Sequence, residues 1–375
     1  MPWKEKTVME QRKEFIEQAA ECTNFSALCR EYGISRKTGY KWLNRFRESG
    51  TVSDRSRSPK HPHAKTAPEI EAAVLAVREE NPSWGGKTTR AVLEADGVKG
   101  LPSAKTCSNI LKRNGCIELE ESLKHRACQR FEREQCNSLW QTDFKGDFGL
   151  LDGSHCYPLD ILDDHSRFCI RTEPKNSATG VKESFLQAFQ EYGLPDAILS
   201  DHGSQFAGFK GGYTHFERWL MDLDILPIHG RIMHPQTQGK IERFHRTMKA
   251  ELLREPFLDL KDAKKHFALW RWKYNEVRPH SALNMKTPAS VYSPSKRLLF
   301  EPKPYEYTGH VCKVNNWGYL RFGPIQLFLS ETMADTYLEV VPVSDDMFSV
   351  RYRNFQIALI DANAKTLIQR RIRRL

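Results

Sequence analysis

The chain has 375 residues, too many for one ordinary core, and this length favours two to four domains. Its 39% hydrophobic and 28% charged residues suit folded domains in water, and it contains neither an apolar run long enough to cross a membrane nor the apolar core of a signal peptide. The formal net charge of +10 fits a nucleic-acid partner, an acidic membrane surface or simple solubility.

The first fifty residues predict an all-helical DNA-binding domain, 1–50. Three helices are expected, over 8–20, Phe25–Tyr32 and from Ser35 to about Glu48, with a turn at Gly33. One face of the third helix is apolar and carries Gly39, Trp42, Leu43 and Phe46. The opposite face carries the candidate DNA contacts Lys37, Lys41, Asn44 and Arg45. This arrangement is typical of the recognition helix of a helix-turn-helix, although a plain three-helix bundle is the alternative.

A basic linker, 51–65, follows and is too poor in apolar residues to fold alone. Arg55 and Arg57 are candidate DNA contacts there, since basic arms track phosphates or enter a minor groove. Residues 66–130 then predict a second helical DNA-binding domain, with helices over 67–80, 86–96 and 103–114. Lys105 lies on the last of these, a candidate second recognition helix, with a structural spacer as the alternative.

Residues 131–258 predict a mixed α/β catalytic core. Strands are expected at Leu139–Phe144, His155–Leu162, Arg167–Thr172, Ala197–Ser200 and Ile225–Ile228, and helices at 177–191, at 213–221 and from Gly239. Three antiparallel strands followed by alternating helices and strands place the first strand centrally, with the fourth beside it. Residues 259–306 predict a helical and irregular extension. The alternating pattern of 307–375 predicts a small β-barrel of five or six strands with a basic tail.

Three carboxylates stand at unusual places in this core. Asp143 lies inside the first strand, Asp201 ends the fourth, and Glu242 begins the long helix. Alone, each would be taken for a helix cap or a solvated charge. Converging carboxylates, however, are what two Mg²⁺ or Mn²⁺ ions need to act on a phosphodiester. Residues 131–230 carry a net charge of −8 between the basic segments 1–65 (+6) and 231–297 (+9), which suits divalent cations beside a polyanion.

The long helix predicts how Glu242 is presented. Its core stripe is formed by Ile241, Phe244, Met248 and Leu252. Glu242, Arg246 and Lys249 cluster about 100° away, so one face offers a metal ligand and two cations that can hold a DNA strand. Lys240 and Arg243 are further candidate DNA contacts.

Other acidic and histidine residues near these positions are given structural roles first. Asp160, Asp163 and Asp164 are attributed to strand and turn chemistry, with an auxiliary metal role as the alternative. His202, His234 and His245 are expected to form hydrogen bonds within loops, although any of them could shuttle a proton.

The segments around the three carboxylates resemble a known family. Trp140-Gln-Thr-Asp-Phe-Lys-Gly146, Ser200-Asp-His-Gly-Ser-Gln-Phe206 and His234-Pro-Gln-Thr-Gln-Gly-Lys-Ile-Glu-Arg-Phe244 resemble the D,D,E core shared by retroviral integrases and bacterial insertion-sequence transposases. Tyr274-Asn275, Arg278-Pro-His280 and Thr287-Pro288 resemble the segment that follows this core. The resemblance implies an RNase H-like fold in which Asp143, Asp201 and Glu242 are both catalytic and metal-binding, with two Mg²⁺ or Mn²⁺ ions.

Two departures from the family are visible. The 40 residues between Asp201 and Glu242 exceed the family's usual gap, and we assign the excess to a surface loop at Ala207–Gly212. The nine cysteines include no CxxC pair and no spacing like the zinc module of retroviral integrases. We therefore expect free thiols in a reducing cytosol and no zinc.

The function expected from this resemblance is that of a DNA transposase. Such an enzyme binds the ends of a mobile element, cleaves phosphodiester bonds and joins the 3′ hydroxyl ends to target DNA. The expected partners are double-stranded DNA, at the terminal inverted repeats and the target, and further copies of the chain in a dimer or tetramer. The expected location is the bacterial cytoplasm, at the nucleoid, with no membrane. A DNA-binding regulator with an inactive core and an RNase H-like nuclease are the two alternatives.

Overall fold

The computed structural model of the protein describes residues 6–56, 66–117, 133–208, 212–230 and 239–375. These residues form two compact units, divided between Lys65 and Thr66. No helix within the described ranges is both long enough and apolar enough to span a membrane.

The first unit, residues 6–56, contains the three predicted helices: α1 (Val8–Glu21), α2 (Phe25–Glu31) and α3 (Arg36–Ser49). The side chain of Ser35 caps α3 by accepting a hydrogen bond from the backbone N–H of Thr38, as its position before the helix predicts. Gly33 has a φ of +64°, so the turn before α3 takes the left-handed conformation that favours glycine. The core includes Phe15, Leu28, Trp42 and Leu43. Phe46 was expected on this buried face but is 40% exposed.

The second helical region, residues 66–117, contains α4 (Pro68–Glu80), α5 (Gly86–Ala95) and α6 (Ala104–Arg113). It is built around Val74, Leu93, Ile110 and Leu111. Helices α5 and α6 approach closely at Gly86, where an added Cβ would lie 2.4 Å from the backbone nitrogen of Ser108. This close approach requires glycine at the start of α5.

A mixed five-stranded sheet forms the centre of the second unit. The strands of this part are β1 (Trp140–Phe144), β2 (Phe148–Gly149), β3 (His155–Cys156), β4 (Leu159–Asp163), β5 (Cys169–Glu173), β6 (Ala197–Ser200) and β7 (Leu226–His229). The sheet order is β5-β4-β1-β6-β7, with β1 antiparallel to β4 and parallel to β6, while β2 and β3 form a separate hairpin. The central place predicted for the first strand is confirmed. The single strand expected over His155–Leu162 is two strands, β3 and β4.

The helices around this sheet are α7 (Val181–Tyr192), α8 (His215–Asp222), α9 (Gly239–Glu251) and α10 (Leu260–Trp272). A π-helix (Lys273–Val277), a 3-10 helix (Ser281–Leu283) and α11 (Pro288–Val291) follow. Helix α9 buries Ile241, Phe244 and Met248, as its predicted core stripe requires. Phe244 packs edge-on against Trp270 and Tyr274, so α9 and the helices after it share one core.

The C-terminal region is antiparallel β structure. Its strands are β8 (His310–Lys313), β9 (Tyr319–Phe322), β10 (Ile325–Phe328), β11 (Tyr337–Pro342), β12 (Met347–Tyr352), β13 (Phe355–Asp361) and β14 (Thr366–Arg374). They form a five-stranded sheet of order β14-β13-β12-β11-β8 and the hairpin β10-β9. Among the described strands no pairing closes the sheet into the barrel expected from the sequence. Most of the basic tail forms strand β14, which the sequence interpretation did not include among the strands.

Candidate active site

Asp143 and Asp201 lie at the carboxyl ends of two adjacent strands. Strands β1 and β6 pair in parallel, with Gln141 opposite Leu199. Continuing this register by two residues on each strand brings Asp143 level with Asp201. Asp201 follows β6 directly, and its Oδ1 accepts a hydrogen bond of 2.9 Å from the backbone N–H of Gly203. The structure thus brings together the first two predicted carboxylates at the edge where ligands bind in such sheets.

Burial makes the Asp143 carboxylate costly to ionise. The Asp143 side chain is 22% exposed. Burial is the largest cause that raises its pKa, from the ordinary 3.8 to about 6, because a low-dielectric environment penalises the charged form. The neighbouring His245 lowers this pKa, whereas the like charges of Asp201 and Asp160 raise it further. A bound cation would relieve both the burial penalty and the repulsion.

A buried aspartate and a histidine stand beside Asp143. Asp160 lies opposite Asp143 in the β1–β4 register and is fully buried. Its Oδ2 is 2.9 Å from Nε2 of His245, while its Oδ1 has no hydrogen-bond partner among the described residues. Nδ1 of His245 lies 3.9 Å from Oδ2 of Asp143. The imidazole of His245 therefore stands between two carboxylates.

The sequence interpretation missed this pair. Asp160 was attributed to strand and turn chemistry, and His245 to a hydrogen bond within a loop, but His245 lies on α9 and reaches across to β4. One signal was available, since Asp160 interrupts the otherwise apolar run Leu159-Asp-Ile-Leu162 in a predicted strand. Asp163 does have the expected turn role, because its carboxylate accepts hydrogen bonds from the backbone and hydroxyl of Ser166.

Two hydrogen bonds fix helix α9 to the sheet on either side of Glu242. The backbone N–H of Ile241 donates to the side chain of Gln141 on β1, and His245 contacts Asp160 on β4. Glu242 itself is exposed. Within the described ranges no three His, Cys, Asp or Glu side chains come close enough together to hold a metal ion. The structure thus brings together Asp143 and Asp201 but not the whole trio.

The cations predicted on α9 differ in their surroundings. Arg243, Arg246 and Lys249 are exposed. Lys240 is 14% exposed, and its ammonium group lies 2.5 Å from the buried carboxylate of Asp164. This ion pair neutralises the charge of Lys240. The predicted contact of Lys240 with DNA stays a prediction, and DNA would have to compete with Asp164 for the ammonium group. His234 falls outside the described residues, and His202 bonds to the carbonyl of Gly230 in a loop, as expected.

The DNA contacts predicted on the N-terminal helices and linker also differ in exposure and in the contacts they already make. On α3, Lys37, Lys41 and Asn44 are exposed. Arg45 is 12% exposed, stacks on Trp42 with its guanidinium 4.5 Å from the ring centroid, and donates to the carbonyl of Ser53. It therefore contributes to the packing of its own unit. Arg55 forms an exposed ion pair with Glu48, Lys105 is exposed on α6, and Arg57 falls outside the described residues.

Comparison with known families agrees with this architecture. Residues 133–235 and 223–288 each match a family model described as the integrase core domain. Residues 11–60 match a helix-turn-helix domain, and residues 38–111 a homeodomain-like domain.

Individual relatives are distant. An uncharacterized 31.7 kDa protein of insertion element IS407 from Burkholderia multivorans is 26% identical over 70% of this chain and 99% of its own length. The transposase for transposon Tn552 from Staphylococcus aureus is 25% identical over 62% of this chain, and the match spans about half of that protein, 53%. A chain in the structure of a simian T-cell lymphotropic virus intasome, in complex with PP2A regulatory subunit B56 gamma, is 18% identical, with a TM-score of 0.37 over 80% of this chain and 98% of its own.

The integrase core domain, with its mixed sheet, defines this protein as an enzyme of the polynucleotidyl transferase class. Helix-turn-helix domains precede that core in the chain. The chain belongs to the insertion-element transposases that combine these two parts, and its function is DNA transposition.

Proposed function

We propose that this transposase cleaves and joins DNA with two divalent cations, Mg²⁺ or Mn²⁺, held by Asp143, Asp201 and Glu242. The observation that carries the proposal is the placement of Asp143 and Asp201 at adjacent strand ends, with the pKa of Asp143 raised to about 6. Mg²⁺ and Mn²⁺ prefer oxygen ligands, and a cation is what makes such a buried, mutually repelling pair favourable.

Glu242 supplies the third ligand in this proposal. Residues three apart on a helix are neighbours on its surface, so Glu242 lies beside His245, whose ring faces Asp143. Helix α9 is fixed to β1 at Ile241 and to β4 at His245, on either side of Glu242, and in this proposal the Glu242 side chain turns to join the pair when the ions bind. Asp160 holds His245 in place, and His245 in turn supports the ionised form of Asp143.

The proposed reaction has two transfers at the same site. Water attacks a phosphodiester at the element end, forming one P–O bond and breaking another, which leaves a free 3′ hydroxyl. This hydroxyl then attacks a phosphodiester of the target, so the number of P–O bonds is again conserved. When bound, the two ions would supply charge neutralisation for the attacking and leaving oxygens. No protein side chain is joined to DNA in either transfer.

The proposed DNA contacts are the exposed cations and amide of the helices described above. They are Lys37, Lys41 and Asn44 on α3, Lys105 on α6, and Arg243, Arg246 and Lys249 on α9. The helix-turn-helix match supports end recognition by the N-terminal helices. The cations of α9 lie on the helix that carries Glu242, where they can hold the strand to be cut.

We also propose that the working form is a dimer or tetramer that bridges the two ends of the element. Each end needs one set of Asp143, Asp201 and Glu242, and the chain contains one set. Catalysis in trans is part of this proposal, with the N-terminal domains of one subunit on the end that its partner cleaves. The site of action would be DNA in the bacterial cytoplasm.

The catalytic assignment is tested with Asp143→Asn, Asp201→Asn and Glu242→Gln in the full chain. The substrate is a duplex carrying the inverted repeat that flanks the gene, with Mg²⁺ or Mn²⁺. We expect each variant to lose cleavage and strand transfer by at least about a thousandfold, while binding the duplex as the parent does. Asp147→Asn is the matched control, since Asp147 is an exposed carboxylate in the same domain.

Two results would contradict the assignment. If a variant retains more than a few per cent of parental cleavage, the substituted residue is not part of the catalytic site. A parent chain that binds the repeat but cleaves nothing with either ion favours the DNA-binding regulator instead.

Assembly is tested by mixing a Glu242→Gln chain with a chain that lacks residues 1–60. Catalysis in trans predicts that the mixture regains cleavage that neither chain has alone, and light scattering should find at least two protomers on two bridged ends. One protomer per end without bridging, together with no regained cleavage, would refute this part of the proposal.

A further inference from the structure

Glu251, the last residue of α9, collects hydrogen bonds from three separate parts of the chain. Its Oε1 accepts from the hydroxyl of Ser83 at 2.7 Å, from the indole N–H of Trp84 at 3.0 Å and from the guanidinium of Arg278 at 2.9 Å. Its Oε2 accepts from the indole N–H of Trp270 at 3.1 Å. These five residues are called the Glu251 hub below.

The position of this carboxylate is unfavourable for the helix alone. A negative charge in the last turn opposes the helix dipole, and the side chain of Glu251 is only 12% exposed. Burying a charge is tolerated only when it is paired and hydrogen-bonded. The four donors meet this requirement, and two of them, from Ser83 and Trp84, come from the second helical region, 168 and 167 positions away in sequence.

The Ser83–Trp84 segment is itself fixed to the second helical region. Trp84 is 2% exposed. The guanidinium of Arg78 on α4 donates to the carbonyl of Trp84 at 2.7 Å and to the carbonyl of Cys116, after α6, at 2.5 Å. The backbone N–H of Trp84 donates to the carbonyl of Asn81. These hydrogen bonds fix Trp84 to helix α4 and, through Arg78, to the segment that follows α6.

We infer that Glu251 is a positioning residue that sets the register between DNA held by the second helical region and the carboxylates of the core. This inference rests on the proposed function. Glu242 and Glu251 are nine residues apart on one helix, a rise of about 14 Å. One base pair along a strand is about 3.4 Å, so even a small slip at the hub would move the scissile phosphate relative to the site.

The hub is tested first without DNA or metal. Ser83→Ala and Trp84→Phe each remove one donor that crosses to the second helical region. Trp270→Phe is the matched control, because it removes an indole donor to the same carboxylate from within the core. By hydrogen–deuterium exchange of the full chain, we expect Ser83→Ala and Trp84→Phe to speed exchange in residues 82–90 about tenfold, with 140–144 unchanged. Trp270→Phe should leave exchange in 82–90 within about threefold of the parent.

The second measurement maps the cleaved phosphodiester at nucleotide resolution, on the duplex carrying the flanking inverted repeat. Ser83→Ala and Trp84→Phe should cut at the parental position and at neighbouring positions, whereas Trp270→Phe should keep a single position. A purely structural role would lower the yield of cleavage without moving its position, so the position is the deciding readout.

The outcomes are distinguishable. Unchanged exchange in 82–90 in both Ser83→Ala and Trp84→Phe would show that the hub holds nothing in place and overturn the inference. Faster exchange with an unmoved cleavage position overturns the positioning role. A parent chain that never cleaves overturns the proposed function and with it the positioning role, whereas the exchange result still decides whether the hub holds the second helical region.

Discussion

The two helical regions look alike in local structure but differ in how they use a tryptophan. Each has three helices, the last of which is capped by a serine, Ser35 or Ser103. Trp42 of the first unit is covered within that unit by the guanidinium groups of Arg12, at 3.7 Å, and Arg45, at 4.5 Å. The indole N–H of Trp84, in the second region, donates a hydrogen bond to the carboxylate of Glu251 on α9.

This difference separates two ways of attaching a DNA-binding region. The first unit is compact by itself, while the second region belongs to the same compact unit as the core. A self-contained unit can bind DNA, or be replaced by another DNA-binding unit, without disturbing the core. A region hydrogen-bonded to α9 can instead couple the position of bound DNA to the helix that carries Glu242.

The largest effect is expected from Trp42→Ala. Removing a buried tryptophan costs about 3–5 kcal/mol, and the first unit is small, so we expect this unit to unfold. Because the unit is compact by itself, the core should keep its parental stability. Calorimetry should show the loss of one unfolding transition, and hydrogen exchange should become fast in 8–49 but not in 140–173.

Phe46→Ala is the matched control for Trp42→Ala. Phe46 lies on the same helix but is 40% exposed, so its removal should cost less than about 1 kcal/mol. A core transition that shifts together with that of the first unit in Trp42→Ala would show that the two units are not independent.

A moderate effect of opposite sign is expected from Asp143→Asn in the absence of metal. Because burial raises the pKa of Asp143 from 3.8 to about 6, the folded state loses stability as the pH rises from about 4 through 6. Asparagine carries no charge and avoids this loss. At pH 8 with EDTA, Asp143→Asn should be more stable than the parent by up to about 2–3 kcal/mol, and this gain should disappear near pH 4.

Denaturant unfolding at both pH values measures this gain, with the exposed Asp147→Asn as the control. The first unit should not change, since the cost of Asp143 is confined to the core. Equal free energies of unfolding for the parent and Asp143→Asn at pH 8 would show that the ionised Asp143 carboxylate does not destabilise the fold without metal.

The smallest effect is expected on DNA affinity, from Lys41→Ala and Arg45→Ala. Lys41 is exposed, so its loss should lower affinity for the inverted repeat about three- to tenfold without changing stability, and reduce the salt dependence by about one ion if the contact is to phosphate. Arg45 stacks on Trp42 and bonds to Ser53, so Arg45→Ala should also destabilise the first unit. Mobility shifts over a salt series, with melting of the same samples, separate the two. Unchanged affinity in Lys41→Ala would remove this face of α3 from the DNA interface.

Local patterns in the sequence were enough for most elements. The periodicity of apolar residues and the caps placed α1 to α6 within a few residues of their bounds, and the strand order predicted from the succession of elements put β1 beside β6. Strand β14 was missed because its apolar residues are interrupted by a run of basic ones, so its composition suggested a tail. The closed barrel was an over-interpretation, since alternation predicts strands but not how a sheet closes.

The sequence alone predicted the helical and β regions and the place of Asp143 and Asp201 at neighbouring strand ends, because these follow from periodicity, capping and strand succession over short distances. The class of enzyme was implied by the resemblance of the segments around Asp143, Asp201 and Glu242 to the D,D,E core. The surroundings of the side chains came from the tertiary fold: the Asp160–His245 pair, Lys240 on Asp164, Arg45 on Trp42 and the Glu251 hub. Most of these contacts join residues far apart in the chain, and all of them depend on burial. Burial and contacts between remote residues determine the pKa of a side chain and which of its hydrogen-bonding groups are already used. A local sequence pattern contains neither kind of information.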